Sequence, residues 1–340
     1  MILAGDVGGT KTRLGLFSAD RGLGRAVAEA ACRNSEYPDF ETILEKFLAR
    51  SGRTVRGACL GVAGPVVDGQ CRLTNLHWVI AEKGIAERFS IPSVRLINDL
   101  EATARAVPLL SSADLKILNP GCSVPEGNKA VIAPGTGLGE AFLVWDGKRF
   151  RAHATEGGHA DFAPGSALER DLLAALKKKR GHVSTESVCS GKGIARIYRF
   201  LRAKESGEEP PELSKELIRA GDPAPVIIAA AKGGAPASNL CRKTAELFLS
   251  MLGAEAGNLA LKVNAAGGVY LAGGIALAVL PLLERGGFME AFRRKGRLSD
   301  FMSRIPVFLI LEPNPALIGA AACGFDTCGV QQTPSIQDRS

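Results

Sequence analysis

The sequence lacks several signatures that would fix its chemistry at once. No G-x-x-x-x-G-K-[ST] occurs, which excludes a P-loop. Of the eight cysteines, Cys32, Cys59, Cys71, Cys122, Cys189, Cys241, Cys323 and Cys328, none form C-x-x-C. No cysteine pair stands beside a histidine pair at zinc spacing either. Several of these thiols lie in apolar runs, where cysteine behaves as a small core residue, and this usage predicts reduced thiols in the cytoplasm. No apolar run is long enough to span a membrane. The N-terminus enters Asp6 with no basic start and a short apolar stretch, so no secretory leader is expected. A dense Lys/Arg stripe interleaved with aromatics is also missing, and nucleic acid is not an expected partner. The strongest basic run, Lys177 to Arg180, reads as the solvated end of a helix. That helix opens on a Ser166-x-x-Glu169 capping box, carries Leu168, Leu172 and Leu176 on one face, and stops at Gly181. The net charge of +7 suits an anionic substrate such as a nucleotide.

What the chain does have is a pair of glycine-rich turns, one in each half. Asp6-Val7-Gly8-Gly9-Thr10 follows the apolar run Ile2-Leu3-Ala4 and precedes Leu14-Gly15-Leu16-Phe17. Pro134-Gly135-Thr136-Gly137-Leu138-Gly139 follows Ala130 to Ala133 and precedes Ala141 to Val144. Each reads as strand, tight turn, strand. Glycines permit positive φ and close approach of a ligand, successive N–H groups can face phosphate oxygens, and threonine adds a hydroxyl donor. A strand–Gly–strand unit alone is often only a hairpin. The pair, with Asp6 and two threonines in matching places, points to a nucleotide held by two lobes. The first turn leads into a strand and not a helix, so it is no Rossmann fingerprint.

At 340 residues, two domains are expected. Strands are predicted at 2–7, 12–17, 25–32, 56–63 and 93–97, with helices at 39–50 and 100–108. Loops rich in turn residues fill 111–128 and mark the domain boundary. The second lobe restarts before Gly135 and becomes helical after 166. An exposed excursion is expected over 203–225, a long helix over 237–262, and strands at 269–272 and 307–311. A small-residue helix follows at 316–323. The polar end, 330–340, reads as disordered.

Several residues could carry chemistry. Asp99 ends an apolar strand in Ile97-Asn98-Asp99, where α/β proteins place ligand groups. Asn98-x-x-Glu101 is equally a capping box, and both roles can coexist. Glu156-Gly157-Gly158-His159 can turn a carboxylate and an imidazole towards one polar ligand, or be an ordinary polar turn. Glu186, in Gly181-His182-Val183-Ser184-Thr185-Glu186, reads most simply as a carboxylate at a helix start. Gly273-Gly274 ends a strand and offers bare backbone to an adenine or ribose.

Together these motifs resemble the bacterial ATP-dependent glucokinases of the actin/hexokinase-like superfamily. The resemblance covers nearly all of residues 3–322. It rests on GDVGGT at 5–10 with Arg13 beyond, LTNLHW at 73–78, IND at 97–99, GTGLG at 135–139, EGGHADFAP at 156–164, GHVSTESVCSG at 181–191 and LAGGI at 271–275. It implies a two-lobed actin-like, ribonuclease H-like α/β fold. A small α/β domain would span 1–109 and be completed by about 314–328, with a larger α+β domain over 110–313. It implies phosphorylation of glucose to glucose 6-phosphate, the first step of glycolysis, with ATP and Mg²⁺. Asp99 would be the base, and Asn98, Asp99, Glu156, His159 and Glu186 would bind the hexose. Phosphates would lie on Asp6, Gly8, Gly9 and Thr10 and on Gly135, Thr136, Gly137 and Gly139. Adenosine would lie on Gly273 and Gly274, and Asp6 would organise Mg²⁺ through water. Some relatives have Asn where Lys11 stands, which would alter the phosphate surroundings. The related repressor and kinase family adds a cysteine-rich zinc motif after its histidine; here no cysteine follows His159 until Cys189, so no zinc is expected. The resemblance further implies a cytoplasmic homodimer whose lobes close on sugar. Two alternatives share the scaffold: a kinase for another hexose, and a sugar-responsive regulator. Such regulators carry an added helix-turn-helix, for which no room is expected before residue 2 or in the polar tail.

Overall fold

The computed structural model describes residues 1–23, 25–73, 76–205, 210–233 and 239–330. Thr74 and Asn75 of the LTNLHW motif, residues 206–209 of the predicted excursion, 237–238 of the predicted long helix and the tail from 331 lie outside the described residues. The chain divides into two compact units. The first comprises Met1–Ser111, Asp146–Ala154 and the segment from Asn314 on; the second comprises Ser112–Trp145 and Thr155–Pro313.

In the first unit, β1 (Ile2–Val7), β2 (Lys11–Phe17), β3 (Ala28–Arg33) and β4 (Gly57–Val62) precede a small meander of β5 (Val66–Val67), β6 (Gln70–Arg72) and β7 (Val79–Ala81); β8 (Val94–Asn98) follows. The main sheet runs β3-β2-β1-β4-β8, with β1, β4 and β8 parallel and β2 and β3 antiparallel. The apolar runs of β1 and β4 are buried almost throughout because both faces of the sheet are covered. Leu3, Leu14, Leu16 and Leu60 pack with Phe40, Ile43, Leu44 and Phe47 of the helix Phe40–Ser51, which Asp39 caps by accepting the Thr42 N–H. On the opposite face Ile2, Ala4, Phe17 and Ile97 meet Ala102 and the small residues Ala316, Ala320 and Ala321. Those belong to the helices Asp99–Ala106 and Pro315–Thr327. Small residues set that contact: a Cβ at Gly61 would lie 2.9 Å from Ala102 Cβ, and one at Gly319 would overlap the Ala102 carbonyl. In the meander, Asp68 and Gly69 both have positive φ (50° and 71°), the geometry of a two-residue hairpin turn.

The second unit holds β9 (Leu115–Asn119), β10 (Lys129–Pro134) and β11 (Leu138–Trp145); the strand β12 (Phe150–Thr155) straddles the division; β13 (Gly268–Leu271) and β14 (Val307–Ile310) complete the set. Here the order is β11-β10-β13-β14-β9. β10 is antiparallel to β11 and parallel to β13, and β13 is parallel to β14. The β2-β1-β4-β8 arrangement is therefore repeated as β11-β10-β13-β14, the duplicated pattern that the resemblance implies. The long helix Asn239–Val263 buries Phe248 and Leu252 against Phe288 and Phe292.

Three expectations change. The predicted loop 111–128 contains β9, an edge strand antiparallel to β14. Asn119 anchors its end, donating to the Ser303 and Ile305 carbonyls at 2.9 and 2.6 Å and accepting from Arg293 at 2.6 Å. The helix capped by Ser166 stops at Lys177, short of Gly181, because Lys178 and Lys179 continue only as a turn. The excursion 203–225 contains the helix Pro211–Arg219, none of whose residues is buried.

Candidate active site

The first unit presents its candidate residues at the ends of β1 and β8. Beyond β1, the Gly8 N–H donates to the Lys11 carbonyl at 3.0 Å and closes the turn. Asn34, buried and unremarked in the sequence, braces it. Its side-chain Nδ2 donates to the Gly8 carbonyl at 2.8 Å, its backbone N–H donates to the Thr10 carbonyl at 3.0 Å, and its side-chain Oδ1 accepts from Thr12 Oγ1 at 2.8 Å. Gly9, Thr10 and Lys11 form the tip, with Thr10 and Lys11 exposed. Asp6 pairs in register with Arg13, and Arg13 Nη1 lies 3.5 Å from Asp6 Oδ2. Burial raises the Asp6 pKa above the usual carboxylate range, and the Arg13 charge opposes that shift. A half-buried carboxylate beside a turn of N–H groups fits a Mg²⁺ that keeps most of its ligands as water and phosphate oxygens. Among the described residues, no group of three or more His, Cys, Asp or Glu side chains could hold a metal ion.

Where β8 ends, Asn98 is a helix cap: its Oδ1 accepts the N–H groups of Leu100 and Glu101 at 2.9 and 3.3 Å. Its Nδ2 donates to the Gly64 carbonyl at 3.4 Å. Glu101 does not complete the capping box; it pairs with Arg105 at 2.9 Å. Asp99 opens the helix, with Oδ1 2.9 Å from the Leu100 N–H. Burial first, and the Asp99 carboxylate second, push the Cys71 thiol up to about 11. The missing Cβ of Gly61, 3.6 Å from Asp99 Cα, lets this helix start sit down on β4.

The second unit gathers the remaining candidates around β11. In the turn before it, the Gly135 N–H donates to the Gly137 carbonyl at 2.8 Å, and the Gly191 N–H donates to the Gly135 carbonyl at 2.9 Å. Thr136 is exposed at the tip. None of Gly8, Gly9, Gly135, Gly137 and Gly139 has a positive φ, contrary to the sequence argument. At 137 the close neighbour is a side chain: a Cβ there would overlap Glu186 Oε2, so the Glu186 carboxylate would have to move. Glu186 does stand in the first turn of a short helix, the 3₁₀ turn Thr185–Ser187, but its carboxylate is used elsewhere: it accepts the Leu138 N–H at 3.0 Å. Glu186 and the glycine turn are thus one assembly.

The Glu156–His159 segment folds flat onto β11. A Cβ at Gly158 would overlap the Leu138 carbonyl, and one at Gly157 would overlap Glu140 Oε2. The two side chains project to solvent, with His159 Nε2 3.9 Å from Glu156 Oε2. Gly273 does have positive φ, 91°, and a Cβ there would lie 2.9 Å from the Pro134 carbonyl. Gly274, at the start of the helix Gly274–Ala278, faces open space. The structure therefore brings Gly135, Thr136, Gly137, Gly139, Glu156, His159, Glu186, Gly273 and Gly274 to one unit, and Asp6, Gly8, Gly9, Thr10, Asn98 and Asp99 to the other.

A family model described as Glucokinase matches residues 3–326. A glucokinase of Synechocystis sp. is 41% identical over 94% of this chain and 97% of its own length. The crystal structure of a glucokinase from an Antarctic psychrotroph is 32% identical with a TM-score of 0.78, covering 96% of this chain and 98% of that one. A glucokinase from Balamuthia mandrillaris, solved in complex with glucose, shares the fold with a TM-score of 0.79 at 23% identity, covering 95% of this chain and 93% of that one.

Proposed function

The chain belongs to the glucokinase family, and on that premise we propose that it transfers the γ-phosphoryl group of ATP to the 6-hydroxyl of glucose with Asp99 as the base. Asp99 accepts the hydroxyl proton and aims the oxygen at phosphorus; the P–O bond to ADP breaks as the new one forms. The transition state of such transfers is loose, so positioning and charge stabilisation contribute more than proton abstraction. Asn98, Glu156, His159 and Glu186 hold the sugar hydroxyls, carboxylates accepting from O–H donors and giving stereochemical choice. Gly8, Gly9 and Thr10 and then Gly135, Thr136, Gly137 and Gly139 hold phosphates, while Gly273 and Gly274 accept the adenosine. Asp6 would organise Mg²⁺ through water, and that ion, when bound, neutralises charge on the phosphates. Lys11 adds a cation at the tip of the first turn.

One observation carries the assignment of the base. Asn98 already caps the helix through two N–H groups, so the helix does not require the neighbouring Asp99 as its cap. The resemblance also supports a cytoplasmic homodimer taking part in glycolysis, built from a small domain (1–109 with 314–328) and a large one (110–313).

The test is ³¹P NMR of products formed from Mg-ATP with glucose, mannose, fructose and N-acetylated hexoses in turn. Glucose should yield a phosphate ester on the C6 oxygen. Product from another hexose but none from glucose would replace this reading with that kinase, and no ester from any sugar would sink it.

A further inference from the structure

Glu140 follows the second glycine turn directly and is nearly inaccessible, with 1% of its surface exposed. Its Oε1 is buried without a hydrogen-bond partner among the described residues. Its Oε2 occupies the space a side chain at Gly157 would need, directly beneath the Glu156–His159 turn. Thr155 fastens the two together: its Oγ1 donates to the Glu140 carbonyl at 3.3 Å and accepts the Gly157 N–H at 3.0 Å. The floor of the proposed sugar turn is therefore a carboxyl group removed from water.

Such a group is stable there only if uncharged or compensated. The surroundings compensate it only in part, through the charge of Lys262. Glu255, itself buried on the helix Asn239–Val263, faces it as a second carboxylate, and its own Oε1 also lacks a hydrogen-bond partner among the described residues. Lys262 Nζ lies 3.6 Å from Glu255 Oε1, and Asn258 Nδ2 donates to Glu255 Oε2 at 3.0 Å. Lys295, near Glu255, donates to Asn258 Oδ1 and to the Ala254 carbonyl. From the segment after Glu186 comes the Cys189 thiol, whose deprotonation is suppressed by burial and then by Glu255, Glu140 and Glu169. Burial, then Glu255, push the Glu140 pKa up to about 7, with Lys262 opposing.

We propose that Glu140 is a positioning residue for the sugar: as an uncharged acid it supports the Glu156–His159 turn, and its ionisation unseats that turn. The inference rests on the functional reading above, because it assigns the turn to glucose. An ionised Glu140 would face Glu255 from one side and the Gly157 backbone from the other, and it would draw water beneath the turn. Sugar affinity should then fall as pH rises through neutrality. The His159 side chain of the turn remains in place in a Glu140 variant, so the comparison isolates Glu140.

Glucose affinity of the full chain, measured by calorimetry from about pH 5.5 to 8.5, tests this. Wild type should lose up to about tenfold in affinity for each pH unit above neutrality, the limit for one ionising group. Glu140→Gln, which copies the uncharged acid, should lose that fall. Glu255→Gln removes the facing charge, so its affinity should begin to fall at lower pH than in wild type. A profile flat across the range, or one that keeps its full fall in Glu140→Gln, would overturn the inference while leaving glucose binding intact. No binding at any pH would overturn the functional reading and this inference together.

Discussion

Asn34 touches no reacting atom, yet its hydrogen bonds end on the Gly8 and Thr10 carbonyls and on Thr12. Asn34→Ala strands a buried hydroxyl and a backbone carbonyl, which costs about 1–3 kcal/mol each way such a partner is lost. We expect a lower urea midpoint and a raised KM for ATP; an unchanged KM in the folded variant would show that the first turn needs no brace. Gly137→Val should raise the KM values for both ATP and glucose, because the new side chain displaces Glu186 as it enters the turn. A rise for ATP alone would mean that Glu186 does not serve the sugar. At this scale the sequence was informative about type and position but not about cause. Gly137 was legible as part of a glycine turn, but the argument from positive φ failed; what a side chain there would meet is the carboxylate of Glu186, a residue far along the chain. Asn34 and Glu140 gave no signal, because a single polar residue reveals its role only through burial and partners.

At the scale of elements, the helix carrying Asp99 is seated by small residues on two sides. Gly61 of β4 lies under it, and Gly319 of the helix Pro315–Thr327 presses on the Ala102 carbonyl. Gly319→Ala overlaps that carbonyl, so the helices must separate; overpacking of this kind costs about 1–3 kcal/mol. The expected outcome is a lower melting temperature together with reduced kcat, because the displaced helix carries Asp99. Full kcat at reduced stability would show that Asp99 keeps its place without the contact. The paired strands around both glycine turns were readable because buried central strands are apolar runs between turn signals. β9 was not, since Leu115–Asn119 is a short edge strand flanked by Asp114 and Pro120-Gly121. Its partner, β14, lies far along the sequence.

For the whole molecule, the buried acid sets a pH dependence of stability. Glu140 is protonated in both folded and unfolded chains below its ordinary pKa of 4.5. Between 4.5 and about 7 the unfolded chain releases that proton while the folded one retains it, so stability falls as pH rises, by about 3 kcal/mol in total. Thermal unfolding should show this loss in wild type and not in Glu140→Gln; equal slopes in the two proteins would remove Glu140 as its source. The central claim is that this glucokinase-family chain phosphorylates glucose with Asp99 as the base. It is tested most directly by the steady-state rate of glucose 6-phosphate formation from saturating glucose and Mg-ATP in wild type and Asp99→Asn, with glucose binding confirmed in both. The account predicts a kcat lower by about 10²–10⁴ in the variant, the usual range for loss of a general base. A kcat close to wild type would contradict it and leave Asp99 as only the first residue of a helix.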